Sequence, residues 1–393
     1  MPANPEQIHV AFRQIGRKLA GRAESEQAAR RAALRLLEAC TLEPDSFRSA
    51  AEAAAASEPT LRCALPLTES PAAGYSCSSQ LRRYKVVAVD GSQSVPDRHA
   101  EALFALLNVA AVTMDVGSGS LPAVDVDTTM LFGSDLYPED GPLLSEGEIA
   151  LRRDAAERGA LLRMTAPASG PSVALLDGPL ELWGPKELAD ADAFSLALAG
   201  YLENLRELER RGWLVAGYVD KPAADLVVRL LEIRQAAPQD LKRLRRYHPL
   251  RLASDRWLFG QILQPRQRSA IFAVQSTSRA KYTGSLALHF FYLNVGAEGR
   301  PAIARVEIPG WIAADPARVD VLHQVLIEQC AILGARAYPY AIHRAHESAS
   351  LSPAEIEQIR LRLLLEMRNQ GVEPEAASAK ASAKRVSSMK GSA

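Results

Sequence analysis

Cysteine is scarce in this chain: Cys40, Cys63, Cys77 and Cys330 are the four in 393 residues, and no two stand in a C-x-x-C spacing. That excludes a disulfide framework and argues against structural zinc, so inert free thiols in a reducing compartment are expected. A long apolar run is missing too. Without a stretch of about eighteen apolar residues or a signal-peptide pattern, the chain is expected to be cytoplasmic, with no membrane partner. No Gly-rich phosphate loop appears, which speaks against actin-like or sugar-kinase ATPases. Net charge is absent as well, because 46 Lys and Arg balance 46 Asp and Glu. The balance conceals segregation: Arg229 to Lys281 carries twelve Lys/Arg against three Asp/Glu, centred on Lys242-Arg243-Leu244-Arg245-Arg246-Tyr247-His248. Clustered cations of this kind can track phosphates, and a solvated helix face would read the same way.

What the chain does contain is one design used twice. Val86-Val87-Ala88-Val89-Asp90-Gly91-Ser92 and Val173-Ala174-Leu175-Leu176-Asp177-Gly178 are apolar runs that end in Asp-Gly. A strand buried on both faces reads as a continuous apolar run, so each Asp is predicted where a core strand meets its exit loop. Were the two strands neighbours, their carboxylates would lie side by side, and like charges that close require a cation or a shared proton.

The surrounding pattern gives a fold class. Helical stretches near Glu6–Ala20, Ser25–Cys40 and Pro44–Ala56 make residues 1–70 a helical arm, followed by a Pro/Ser/Gly-rich link at Pro66–Ser79. Strand patterns at Val86–Asp90, Leu103–Met114 and Ala123–Phe132 are spaced as a meander. A helix opens at Ser145, whose spacing to Glu148 predicts a capping box, and runs to about Met164. Strand Val173–Leu176, a helix at Leu188–Arg211 and strand Leu214–Val219 follow. Strand, meander, helix, strand, helix, strand is the order of an RNase H-like mixed β-sheet flanked by helices, here with an inserted basic segment. Further strands are predicted at Ala270–Gln275, Ser285–Val295 and Ala302–Ile308, and helices at Pro316–Leu333 and from Ser352. The main domain is taken as residues 84–370, and the Ala/Ser/Lys-rich tail 373–393 is expected to be disordered.

A third carboxylate belongs beside the two aspartates. Glu157 shares a helical face with Ile149, Ala150, Ala160, Leu161 and Met164, so it points at the sheet, where it either pairs with Arg153 four residues earlier or helps hold a metal. Further on, Tyr338-Pro339-Tyr340-Ala341-Ile342-His343-Arg344-Ala345-His346-Glu347 brings histidines next to Tyr and Glu. Lys221, closing the third strand pattern, is a candidate for contacting a phosphate.

Asp90-Gly91-Ser92 after an apolar strand, a helical Glu about twenty residues ahead of a second strand-borne Asp-Gly, and a C-terminal Tyr-Pro-Tyr-x-x-x-x-Ala-His-Glu together resemble the NurA nucleases. The resemblance implies an RNase H-like, Mn2+-dependent DNA exo- and endonuclease. It would be a homodimer that works with the hexameric translocase HerA in resecting double-strand breaks. It also implies Asp90, Glu157, Asp177 and His346 as the metal-binding and catalytic set, with Mn2+ or Mg2+ bound. The basic segment, through Lys242, Arg243, Arg245 and Arg246, would then grip DNA without regard to sequence. Two other readings stand beside it: a non-catalytic RNase H-like subunit that binds DNA or assembles, and a haloacid-dehalogenase-type phosphatase. The latter would use Val124-Asp125-Val126-Asp127-Thr128-Thr129, with Asp125 as nucleophile and Asp127 as acid/base.

Overall fold

The computed structural model describes residues 4–78, 81–137, 141–184, 191–237, 240, 243–334 and 337–373. In chain order, helices α1 (Pro5–Leu42) and α2 (Pro44–Ser57) precede strand β1 (Cys63–Pro66). A meander β2 (Tyr84–Gln93), β3 (Phe104–Val116) and β4 (Ala123–Phe132) leads through α3 (Glu146–Arg163) to β5 (Ser172–Asp177), and α4 (Ala191–Arg210) leads to β6 (Leu214–Val219). Next come α5 (Leu226–Gln235), α6 (Asp255–Ile262), β7 (Phe272–Gln275), β8 (Leu288–Asn294) and β9 (Ile303–Pro309). The chain ends in α7 (Pro316–Ile332), α8 (Tyr340–Ala349) and α9 (Pro353–Asn369). This is the mixed sheet with flanking helices of the RNase H-like class.

Two compact units divide these elements: Met1–Gln80 with Gly217–Tyr338, and Leu81–Ala216 with Pro339–Ala393. The predicted arm, residues 1–70, therefore falls in one unit with the basic segment, and the predicted 84–370 stretch is shared between both. In the first unit, Ala29, Ala33, Leu37 and Cys40 bury one side of α1, and Phe47, Ala51 and Ala54 bury one side of α2. The two helices expected over 6–40 form one 38-residue helix, since nothing stronger than Gly21 interrupts them. β1 lies inside the stretch read as arm and link, and it pairs antiparallel with β7. An aromatic core backs these strands, with Phe259 stacked on Tyr292 at 4.4 Å and Phe272 on Phe290 at 5.6 Å. Burial pushes the Cys40, Cys63 and Cys330 thiols up to about 12, which keeps them unreactive.

The second unit has strand order β5-β2-β3-β4. β2 and β3 pair antiparallel over ten residue pairs, from Tyr84↔Val116 to Gln93↔Leu107, and β3 pairs antiparallel with β4. β5 runs parallel to β2, as an α3 crossover requires. Ser145 and Glu148 form the predicted capping box at the start of α3, and Ser352 and Glu355 form another at α9. Helix α8 was not foreseen, because Tyr338-Pro339-Tyr340 carries no helix-start signal; Pro339 is its N-cap. Residues 374–393, the expected disordered tail, lie outside the described residues. No described helix is long and apolar enough to cross a membrane.

Candidate metal centre

The parallel ladder between β2 and β5 sets the site. Its register runs Lys85↔Ser172, Val86↔Val173, Val87↔Ala174, Ala88↔Leu175 and Val89↔Leu176, so the next step sets Asp90 beside Asp177. Four fully buried residues on each strand hold this ladder in the core. Neighbouring strands stand about 4.8 Å apart and equivalent residues share a face, so the two carboxylates lie side by side. Gly178, at φ 101, turns the chain away directly after Asp177, a conformation that favours glycine. Asp90 differs from the prediction in one respect. β2 continues beyond it to Gln93, since β3 pairs with it throughout, so Asp90 sits inside a strand instead of at its exit.

Helix α8 brings the third group. His346 Nδ1 lies 2.7 Å from Asp90 Oδ2. One ligand atom from each of Asp90, Asp177 and His346 falls within 4.8 Å of the others. Atoms this close would suit one cation with ligand bonds of about 2.1 Å, which these three residues would hold. Two hard carboxylates and one imidazole suit Mn2+ well and Mg2+ acceptably.

Glu157 is paired with Arg153. It is 7% exposed, faces the sheet as its helical phase predicts, and its Oε1 lies 3.1 Å from Arg153 Nε. It is not one of the three clustered ligands. Burial pushes its carboxyl up to about 8, with Asp154 and Asp90 adding to the rise while Arg153 and Arg158 pull it back. It nevertheless presses on the site from behind: a Cβ at Gly91 would stand 2.6 Å from Glu157 Oε1. The glycine after Asp90 thus serves close helix-to-strand approach and not a turn. Arg153 was cast in the sequence only as a partner for Glu157. It also bonds Asp154 at 2.6 Å, and Asp90 is among the charges that act on its guanidinium. A second group that went unread is Asn108, the polar interruption of the apolar run Phe104–Val112.

The predicted DNA-contacting residues lie in the other unit. Lys221 is exposed just after β6, with φ 49. Lys242 lies outside the described residues. Arg243, Arg245 and Arg246 are exposed and line a concavity of about 680 Å3 together with Glu58, Asp240 and Tyr247. Arg245 reaches Glu58 at 3.2 Å. Several other cations of the segment are structural: Arg229 pairs with Glu232 at 2.8 Å, and Arg268 pairs with Glu69 at 2.6 Å. The phosphatase reading is corrected. A phosphatase nucleophile needs a buried strand end, whereas Asp125 and Asp127 are exposed on the antiparallel edge strand β4, and Asp127 pairs with Arg163 at 3.2 Å.

The NurA domain family matches residues 84–351. Among solved structures, the NurA nuclease from Sulfolobus solfataricus superposes with a TM-score of 0.52 at 14% identity, covering 93% of this chain and 98% of that one. The catalytic domain of human Endonuclease V gives a TM-score of 0.32 at 13% identity, covering 74% and 92%. No curated protein sequence matches.

Proposed function

We propose, for a chain that belongs to the NurA family of nucleases, a metal-dependent DNA nuclease that hydrolyses phosphodiesters at Asp90, Asp177 and His346. The observation that carries this reading is the register that sets Asp90 beside Asp177, with His346 2.7 Å from Asp90. Like charges on neighbouring strands repel, and a cation between them would offset that repulsion.

A bound Mn2+ or Mg2+ would polarise the phosphodiester, lower the pKa of an attacking water and neutralise the leaving oxygen. Asp90 and Asp177 supply hard anionic ligands on rigid strands, and His346 supplies a nitrogen that favours Mn2+. Glu157 completes the acidic surroundings from behind Gly91, held by Arg153. The exposed Arg243, Arg245 and Arg246 contact DNA phosphates without reading bases, and Lys221 serves the same purpose beside β6. Processing of DNA ends with a HerA-type hexameric translocase, and a homodimeric state, are the family's pattern and are carried over as part of this proposal.

The test is cleavage of an end-labelled linear DNA by the purified protein in EDTA, Mg2+ or Mn2+, beside Asp90→Ala. Cutting that needs the ion and disappears in the variant is the expected result. Folded protein that cuts with neither ion, alone or with a HerA-type translocase, would leave the non-catalytic scaffold as the better reading.

A further inference from the structure

A row of three polar side chains crosses the sheet next to the aspartates. Ser92 on β2 stands opposite Asn108 on β3, and Asn108 stands opposite Thr128 on β4. Asn108 is 5% exposed inside an apolar strand, a setting that disfavours asparagine unless its amide is fully bonded. Both ends of that amide are used. Thr128 Oγ1 donates to Asn108 Oδ1 at 2.6 Å, and Asn108 Nδ2 donates to the carbonyl of Ala349 at 2.8 Å. Ser92 Oγ donates to the same carbonyl at 2.5 Å.

That carbonyl belongs to the last residue of α8. It is one of the groups a helix end leaves without an intrahelical partner, and here two side-chain donors from the sheet satisfy it. Two periodicities then meet. His346 and Ala349, three apart on a helix, share a face; Asp90 and Ser92, two apart on a strand, share a face. Tying Ala349 to Ser92 and Asn108 therefore sets His346 over Asp90. Thr128 belongs to the motif that suggested a phosphatase, and in the folded protein it orients the Asn108 amide.

We propose that Asn108 is a positioning residue for the metal centre: with Ser92 it anchors the end of α8, and through that anchor it holds His346 at Asp90. The inference rests on the metal-dependent reading above, so its test includes a readout that does not need the metal. Asn108→Leu keeps approximate size and removes the donor. Hydrogen exchange by mass spectrometry over residues 340–352 is expected to speed up. Mn2+ affinity, titrated by electron paramagnetic resonance, is expected to fall about tenfold, as outer-shell partners of metal ligands do. In a His346→Ala background the same substitution should cost no further affinity, because the anchor acts through that imidazole.

Should Asn108→Leu fail to fold, Ser92→Ala carries both measurements, and Ser92→Thr, which keeps the hydroxyl, should restore them. Unchanged exchange over 340–352 overturns the anchor. An equal loss of affinity with and without His346 overturns its link to the site. If the wild-type protein binds no Mn2+, the metal reading falls, while exchange alone still decides whether Asn108 holds the helix end.

Discussion

Two charged regions of this chain are built on opposite plans. In the Arg229–Lys281 stretch, opposite charges close on each other. Arg229 donates to Glu232 at 2.8 Å and to the Tyr247 carbonyl at 2.6 Å, and Arg268 clamps Glu69 through both guanidinium nitrogens while lying 4.7 Å from the Tyr75 ring. Arg234 lies over Phe47. Where β2 runs beside β5, the sheet instead brings two carboxylates, Asp90 and Asp177, side by side, while Arg153 is turned to Glu157 and Asp154. The first region uses its charge to fold. The second gathers two carboxylates and an imidazole where a metal ion would bind. A run of basic residues is thus weak evidence of a binding surface, whereas two short Asp-Gly endings on paired strands are strong evidence of a site.

The sharpest way to break that contrast is Asp177→Asn. Removing one carboxylate should cut DNA cleavage by roughly a thousandfold or more, because a metal ligand is lost outright. Unfolding of the metal-free protein should move little, since the substitution keeps the side chain's size and removes one of two neighbouring like charges. Cleavage within tenfold of wild type, or a clear drop in metal-free stability, would mean that the pair is structural after all.

Much of this site was legible before the fold was known. The apolar runs gave the two strands and their Asp endings, and the helical phase of Glu157 gave its direction. The helical phase of Glu157 fits Arg153 at i−4 as well as a metal at the sheet, and the folded protein forms the Arg153 pair. Asn108 left a trace as a lone amide in an apolar strand, yet its meaning depends on Ala349, some 240 residues away, which local pattern cannot see. Helix α8 was hidden for a related reason: its hold on the sheet comes from tertiary bonds at its end, while the residues that begin it favour extended chain. In the basic segment, composition counts charges without showing which are paired inside the fold, as Arg229 and Arg268 are, and which stay exposed, as Arg243 and Arg246 do.

A smaller effect, in the first unit, tests the other half of the contrast. Arg229→Ala would leave Glu232, 2% exposed, without its guanidinium partner. Breaking one side of such a buried pair costs about 3 kcal/mol, read as a lower urea midpoint. DNA affinity should stay the same once the variant is folded. A normal midpoint with weakened DNA binding would turn Arg229 from a folding residue into a binding one.

The smallest expected effect falls on the cations that the fold does not enclose. Arg243 and Arg246 are exposed, and each lines the same 680 Å3 concavity as Tyr247. If they contact phosphates, each releases condensed counterions on binding. Replacing both with Ala should weaken DNA binding several-fold at moderate salt and lower the slope of log affinity against log salt by about one per residue, equally for unrelated DNA sequences. The slope discriminates better than the affinity, because a disturbance of folding alters affinity without changing how many counterions are released. An unchanged slope would place the DNA path away from this segment and turn the search to Lys221, just after β6, and to the paired aspartates.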